Sequence, residues 1–245
     1  MERLSAMLEK QGVYYDLRSK DLVEPSPSPL LKWRSHMLEW YFEVIDHTEH
    51  DRSVAALAVN LLDRYAAAKS AGGSGALNQR EYSLAAMTSL TLASKLYLSR
   101  HNRRSHISIS YVLRLAHGSY TETDVEATER DMLAALNWLV HPPIVPEFIE
   151  HLFHLLPRWE NDRNVRLQIF EHARYAAELA LVSCLPHEPG RMAYACILSG
   201  FKDIPRNIRN AFVRNVANVM GMTPDVVTSE RDCVVHLIRN VLQQA

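Results

Sequence analysis

One lysine stands out in a long stretch of apolar and small residues. Lys95 is the only charged residue between Glu81 and Arg100, and its neighbours are mainly Ala, Leu, Ser and Thr. This composition predicts a helix that is buried on nearly all sides, where an ammonium group without a partner is costly. The lysine therefore either complements the C-terminal end of the helix dipole or is placed to bind another group.

An acidic residue with matching properties follows further along the chain. Glu129 lies one helical turn from Val125 and one turn from Leu133, so we expect its carboxylate to be half-buried on an apolar stripe. A cation and an anion that project from two packed helices can bind each other. They can also bind the main chain of a partner together, and the residue types alone do not separate these two possibilities.

Enzymatic chemistry has no good candidates in this sequence. The glycine-rich segment 71–75 lacks the Gly-Lys-Ser/Thr ending of a phosphate-binding loop, so we interpret it as a connection between helices. The histidine-containing segments 46–51 and 151–154 lack a third metal ligand fixed by spacing, which favours a solvated turn and a helix face. We predict no catalytic residue, no metal site and no cofactor.

Composition restricts the cellular setting. With 245 residues and a net charge of −1, the chain is long enough for two small domains and lacks the positive field that broad nucleic-acid binding requires. The stretch around Lys95 is broken by this charge and diluted by Ser and Thr, which argues against a membrane span. The spacing of Cys184, Cys196 and Cys233 is not typical of a metal site, and the N-terminus is charged at once. We therefore expect reduced thiols in an intracellular protein of the nucleus or cytoplasm, with no nucleic-acid or membrane partner.

The hydrophobic periodicity is helical almost throughout. It predicts a short helix at 2–10, an extended Pro/Ser linker at 25–29, and five helices up to the His-Pro-Pro sequence at 141–143. Five more are predicted at 145–156, 161–183, 189–201, 205–220 and 224–243. These patterns indicate an all-α protein with an N-terminal extension (1–29) and two five-helix domains (30–142 and 143–245).

The two sets of helices look like copies of one another. Segments 124–131 and 225–232 read DVEATERD and DVVTSERD, an offset of 101 residues. The same offset places Glu230 opposite Glu129 but Cys196 opposite Lys95. Complementing a helix dipole should be equally useful in both copies, so a lysine in the first copy alone favours a role in binding.

Three segments together resemble the cyclin box: WRSHMLEW at 33–40, AVNLLDRY at 58–65 and LASK at 92–95. The resemblance implies two tandem cyclin folds in a regulatory subunit that binds and allosterically activates a cyclin-dependent protein kinase. In that family a lysine of the third helix and a glutamate of the fifth grip the kinase main chain before its mobile C helix. Those positions are Lys95 and Glu129 here, and the apolar residues Leu92, Leu96 and Leu133 match positions that pack against that kinase helix.

The resemblance also implies a second surface, which binds substrates or inhibitors with an Arg-x-Leu motif. The matching residues are Trp33, Met37, Trp40 and Glu43, although a stripe of aromatic residues is also typical of an ordinary core. The chain departs from the family pattern at two positions, because His36 replaces an aliphatic residue and Ser83 replaces a glutamine. We expect Arg34 to brace the box internally.

Two further segments carry regulatory hypotheses. Ser26-Pro and Ser28-Pro fit the minimal site of proline-directed kinases, and added negative charge there would favour the N-terminus of the following helix. The segment 100–104 is basic where the third helix of most cell-cycle cyclins continues with acidic residues; it is either a solvated loop or a contact for a kinase phosphate. The alternative function is that of a transcription-related cyclin or a cyclin-fold adaptor of the transcription machinery.

Overall fold

A computed structural model describes residues 2–15, 29–72, 75–101, 106–160, 162–182, 188–202 and 204–244. Within these ranges the chain is all-α and contains no strand, as the periodicity predicts. The helices are α1 (Glu2–Tyr15), α2 (Pro29–His47), α3 (Ser53–Ala71), α4 (Gln79–His101), α5 (Ile109–Leu115), α6 (Glu122–Ala135), α7 (Val145–Phe153), α8 (Arg163–Val182), α9 (Pro189–Ser199), α10 (Arg206–Met220) and α11 (Thr228–Gln244).

Several helix ends differ from the prediction, most clearly the end of α1 and the start of α11. α1 continues to Tyr15, beyond the predicted end near residue 10. Pro224 begins a 3₁₀ turn, Pro224–Val227, and α11 starts only at Thr228, so the predicted start at 224 marks the turn rather than the α-helix. Gly221 ends α10 as predicted, with a φ of 65° that a glycine adopts without steric cost.

The tertiary contacts divide the chain into two compact units. One contains α2–α6 and the other contains α7–α11 together with α1. Leu4 and Met7 of α1 belong to the hydrophobic core of the second unit. The Gln11 side-chain oxygen also accepts a hydrogen bond of 2.8 Å from the backbone N–H of Gly190 in α9. α1 is therefore a structural part of the second unit, where the sequence pattern indicates only an extension.

α4 is the central helix of the first unit. Residues 85–94 are each no more than 5% exposed, because α2, α3, α5 and α6 all pack against α4. Its polar side chains bond locally: the Ser89 and Tyr41 hydroxyl oxygens lie 2.7 Å apart, and Ser94 accepts from the backbone N–H of Ile107 at 2.8 Å. The prediction of a helix buried on nearly all sides is confirmed.

Arg34 braces the first unit as expected. Its guanidinium donates to both carboxylate oxygens of Asp63 at 3.0 and 3.1 Å, which joins α2 to α3. The two side chains are only 7% and 13% exposed. A bidentate pair of this kind is geometrically specific, so it sets the orientation of α2 relative to α3.

Candidate functional site

Lys95 and Glu129 form an ion pair between α4 and α6. The Lys95 Nζ lies 3.0 Å from Oε1 and 2.7 Å from Oε2 of Glu129. A capping box of Thr121 and Asp124 starts α6, and Glu129 follows two turns into the helix. The lysine side chain is 36% exposed and the glutamate side chain 19%, so the expected half-burial of Glu129 is confirmed.

The exposure of the pair limits its contribution to folding. Ion pairs open to solvent typically contribute about 0–1 kcal/mol to the free energy of unfolding. The apolar contacts between α4 and α6 therefore hold these helices together, and the pair is not required for that. A lysine with three N–H donors and a carboxylate with two acceptor oxygens can exchange their mutual bonds for bonds to a peptide main chain at little cost.

The predicted apolar neighbours differ in accessibility. Leu96 and Leu133 are half-buried, so part of each side chain lies at the surface on either helix. Leu92 is only 4% exposed and belongs to the core, so it is not available to a partner at the surface. The surface around the ion pair is therefore apolar at Leu96 and Leu133.

The second copy treats the corresponding positions differently. Cys196 is completely buried, and burial raises the pKa of its thiol. Glu230 is also buried, and Arg191 in the first turn of α9 pairs with it at 2.6 Å. The prediction that only the first copy carries a cation is right for positions 95 and 196. It misses Arg191, five residues before Cys196, which supplies a cation in the second copy. It also misses that the Glu230 carboxylate is much less accessible than that of Glu129.

A tryptophan that the sequence analysis overlooks lies at the end of α6. Trp138 is 71% exposed and has a φ of 60°, directly after Asn137 with a φ of 50°. Its backbone N–H donates to the carbonyl of Leu133 at 2.9 Å, so the turn holds the residue at the end of the surface that includes Leu133. Left-handed conformations of bulky residues are rare and often occur at functional sites. No pattern in the sequence marks Trp138, because a tryptophan at a helix end is ordinarily mostly buried.

The residues of the predicted Arg-x-Leu surface follow one side of α2. Trp33, Met37 and Trp40 are half-buried and Glu43 is exposed. The Trp33 ring packs at 6.1 Å from the Tyr82 ring of α4. Each aromatic side chain thus contributes to the packing of the unit and still has an accessible part. His36 is exposed and Ser83 is half-buried at the two positions that depart from the family pattern.

The structure says less about the predicted phosphorylation sites, the basic segment and the histidine-containing segments. Ser26, Ser28 and residues 102–104 of the basic segment lie outside the described residues. In the segment 46–51, Asp46 pairs with Arg52 at 2.6 Å and the His50 Nδ1 lies 2.9 Å from the Thr48 carbonyl oxygen. The described part of the chain contains no group of three or more metal-ligating residues.

Two other observations concern membranes and cysteines. No helix in the described ranges combines the length and apolar character needed to cross a membrane. Cys196 and Cys233 are free thiols, the first buried and the second half-buried. Cys184 lies outside the described residues.

Comparison with known proteins identifies the family. The model of the cyclin N-terminal domain matches residues 4–141, which is more than half of the chain. The protein therefore belongs to the cyclin family. The matched region contains the Lys95–Glu129 pair, the α2 surface and Trp138.

Curated relatives match at moderate identity. The chain is 28% identical over 156 residues to a G1/S-specific cyclin CLN2 of Candida albicans, covering 64% of this chain and 31% of that protein. It is 27% identical over 128 residues to a G2/mitotic-specific cyclin-2 of Antirrhinum majus, covering 52% of this chain and 26% of that protein. The matches thus span roughly a third or less of the length of these relatives.

A solved structure supports the fold of the whole chain. The X-ray structure of a viral cyclin from herpesvirus saimiri superimposes with a TM-score of 0.69 at 20% sequence identity. The match covers 95% of this chain and 96% of the viral cyclin. The cyclin fold is therefore shared along nearly the full length of the chain, beyond the region that the family model matches.

Proposed function

We propose that this protein is a regulatory subunit that binds a cyclin-dependent protein kinase and activates it allosterically. The observation that carries the proposal is the accessible Lys95–Glu129 pair at the surface of α4 and α6. In the proposed complex Lys95 donates to a main-chain carbonyl of the kinase and Glu129 accepts from a main-chain N–H. Docking then moves the kinase C helix inward, which completes the catalytic Lys–Glu ion pair and orders the activation loop.

Apolar contacts supply the binding energy in this proposal. Leu96 and Leu133 flank the ion pair with partly exposed side chains, and Trp138 adds a large exposed ring at the end of α6. Tryptophan is among the residues that most often dominate protein interfaces, because it buries a large area with few rotatable bonds. The polar pair would thus set the register of the kinase segment, while the three apolar side chains bury against its helix.

The α2 surface is a second part of the proposal. Trp33, Met37 and Trp40 offer a partly exposed apolar stripe for the leucine of an Arg-x-Leu segment, and the exposed carboxylate of Glu43 is suited to its arginine. Substrates or inhibitors of the kinase would dock there. The exposed His36 makes the middle of the stripe more polar than the family pattern, so we expect weak binding.

The names of the curated relatives favour a role in cell-cycle control over a role in transcription. Both are described by a stage of cell division, G1/S in one case and G2/mitosis in the other. We propose a cell-cycle role on this basis. A transcription-related kinase recovered as the partner would contradict this part of the proposal but not the binding surface.

A charge exchange tests the binding surface most directly. The full chain would be used to recover the kinase from a lysate, and the kinase activity of the recovered complex would be measured. Lys95→Glu should abolish recovery while leaving the fold intact, since the pair contributes about 1 kcal/mol or less to stability. The double variant Lys95→Glu/Glu129→Lys restores the internal ion pair but reverses donor and acceptor towards a partner, so we expect it to remain inactive.

Two results would contradict the proposal. Recovery of the kinase by the double variant would mean that the pair acts only within the protein. The control variant Arg52→Glu breaks the exposed pair with Asp46 in the same unit. If it lost kinase binding to the same extent, any charge reversal in this unit would explain the loss. Cys196→Ala, at the equivalent position of the second copy, should leave binding unchanged.

A further inference from the structure

The exposed face of α10 is basic. From Ile204 to Met222 the chain contains three arginines and no aspartate or glutamate. Arg206, Arg209 and Arg214 are all exposed, and none of them forms an ion pair with a described residue. In a chain with a net charge of −1, this is a local excess of positive charge.

α1, the helix that packs against α10, does not neutralise this face. α1 packs against α10 and carries two acidic and two basic side chains, which leaves it without net charge. Lys202, just before α10, is exposed and adds a fourth cation. The Arg209 guanidinium lies 6.0 Å from the centre of the Phe201 ring, so a cation–π contact restrains it at the surface. Asp203 lies outside the described residues.

The first copy does not keep these three arginines at the equivalent positions. With the offset of 101 residues, Arg206, Arg209 and Arg214 correspond to Ser105, Ser108 and Leu113, none of which is charged. The equivalent helix α5 has seven residues, whereas α10 has fifteen. Neither the duplicated fold nor its core therefore requires these arginines.

We propose that the α10 face binds an extended segment of a partner protein that is rich in aspartate or glutamate. The arginines are distributed over about 12 Å of helix axis, at 1.5 Å per residue. In an extended peptide alternate side chains lie on one face about 7 Å apart, so two or three carboxylates can follow this span. The exposed amides of Asn207 and Asn210 between the cations, and of Asn218 one turn beyond Arg214, provide further hydrogen-bond partners.

The distribution of charge favours this occupant over other anions. A single phosphate group is best held by donors that converge on one point, whereas these guanidiniums are spread along the helix. A nucleic acid requires a broad positive field, and the net charge of the chain argues against one. The surface is independent of the kinase-binding residues, which lie in the other unit.

Fluorescence anisotropy of the full chain with a labelled peptide of alternating Glu and Ser residues tests the proposal. We expect saturable binding that weakens as salt is raised. The variant Arg206→Gln/Arg209→Gln/Arg214→Gln should lower the affinity by about tenfold or more. A control with the same loss of charge, Arg130→Gln/Arg158→Gln/Arg163→Gln, replaces three exposed arginines elsewhere and should change it by less than about twofold.

Further probes distinguish the alternatives. The proposal would be overturned by an equal loss of affinity in the two triple variants, or by no binding of the acidic peptide at low salt. It would also be overturned if a single-stranded oligonucleotide, or a neutral peptide with one phosphoserine, bound more tightly than the acidic peptide. The α10 variant should still recover the kinase. Failure of the peptide assay with kinase binding retained would therefore refute this inference alone.

Discussion

Arg191 and Glu230 form a buried counterpart of the exposed Lys95–Glu129 pair. The Arg191 Nη2 lies 2.6 Å from the Glu230 Oε1, and the glutamate side chain is 4% exposed against 19% for Glu129. The same guanidinium also donates to the Val226 carbonyl at 2.7 Å, which ties α9 to the turn before α11. Two copies of one fold thus keep a glutamate at the same place and use it differently.

This difference predicts losses of stability of different size for the two glutamates. Glu230→Ala should lower the free energy of unfolding by about 2 kcal/mol, because it removes a carboxylate that is only 4% exposed and is paired with Arg191. The 34% exposure of the Arg191 side chain keeps the loss below that of a fully buried pair. Glu129→Ala should cost about 1 kcal/mol or less. Urea unfolding of both variants measures the difference, and equal values would contradict it.

Trp138→Ala should weaken the proposed kinase complex without destabilising the protein. The ring is 71% exposed, so its removal costs little core packing, while loss of an exposed aromatic anchor should reduce affinity by about tenfold or more. Titration of the purified kinase with wild type and variant measures the effect. Leu167→Ala removes another exposed apolar side chain, in α8 of the other unit, and is the matched control. Unchanged affinity for Trp138→Ala would exclude the ring from the interface.

Asp131 should make the first unit sensitive to acid. Burial alone would raise the pKa of Asp131, but hydrogen bonds from Lys69 and Tyr65 outweigh this effect and hold the pKa below its ordinary value. Since the folded-state pKa is depressed, the stabilisation is present above the unfolded pKa of about 4 and is lost as the pH falls through the lower folded-state value.

The variant Asp131→Asn tests this dependence. At neutral pH its melting temperature should be lower than that of wild type, and the gap should narrow below about pH 4. Thermal unfolding followed by circular dichroism across this pH range provides the measurement. A gap that stays constant with pH would show that the carboxylate charge contributes nothing.

Gln11→Leu should loosen α1 from the second unit. The change removes the acceptor of the Gly190 N–H in a buried setting, and an unsatisfied buried donor costs about 1–3 kcal/mol. Gly190→Ala should have a smaller effect, because the added Cβ would meet only the ends of two flexible side chains, the Met220 Cε at 2.8 Å and the Gln11 oxygen at 3.1 Å, which can move. Limited proteolysis would detect the loosened helix as faster cleavage near the N-terminus; cleavage at the wild-type rate would contradict the assignment.

Much of the fold was predictable because its signals are local. Periodicity and helix-ending residues locate the helices, and the lone Lys95 in an apolar stretch marks the candidate site together with Glu129. The features that were missed depend on tertiary structure. Arg191 reaches Glu230 from a different helix, and the exposure of Trp138 follows from two left-handed residues that no sequence motif announces. The attachment of α1 to the second unit likewise involves residues far apart in sequence.

That attachment imposes an order on folding during synthesis. Gln11 and Gly190 are separated by 179 positions, and the other helices that α1 touches also come late in the chain. The apolar side chains of Leu4 and Met7 therefore stay exposed to solvent until the unit that contains α2–α6 and the later helices of their own unit have been synthesised. Docking of α1 is therefore a long-range step of folding that can be completed only after α10 has been synthesised.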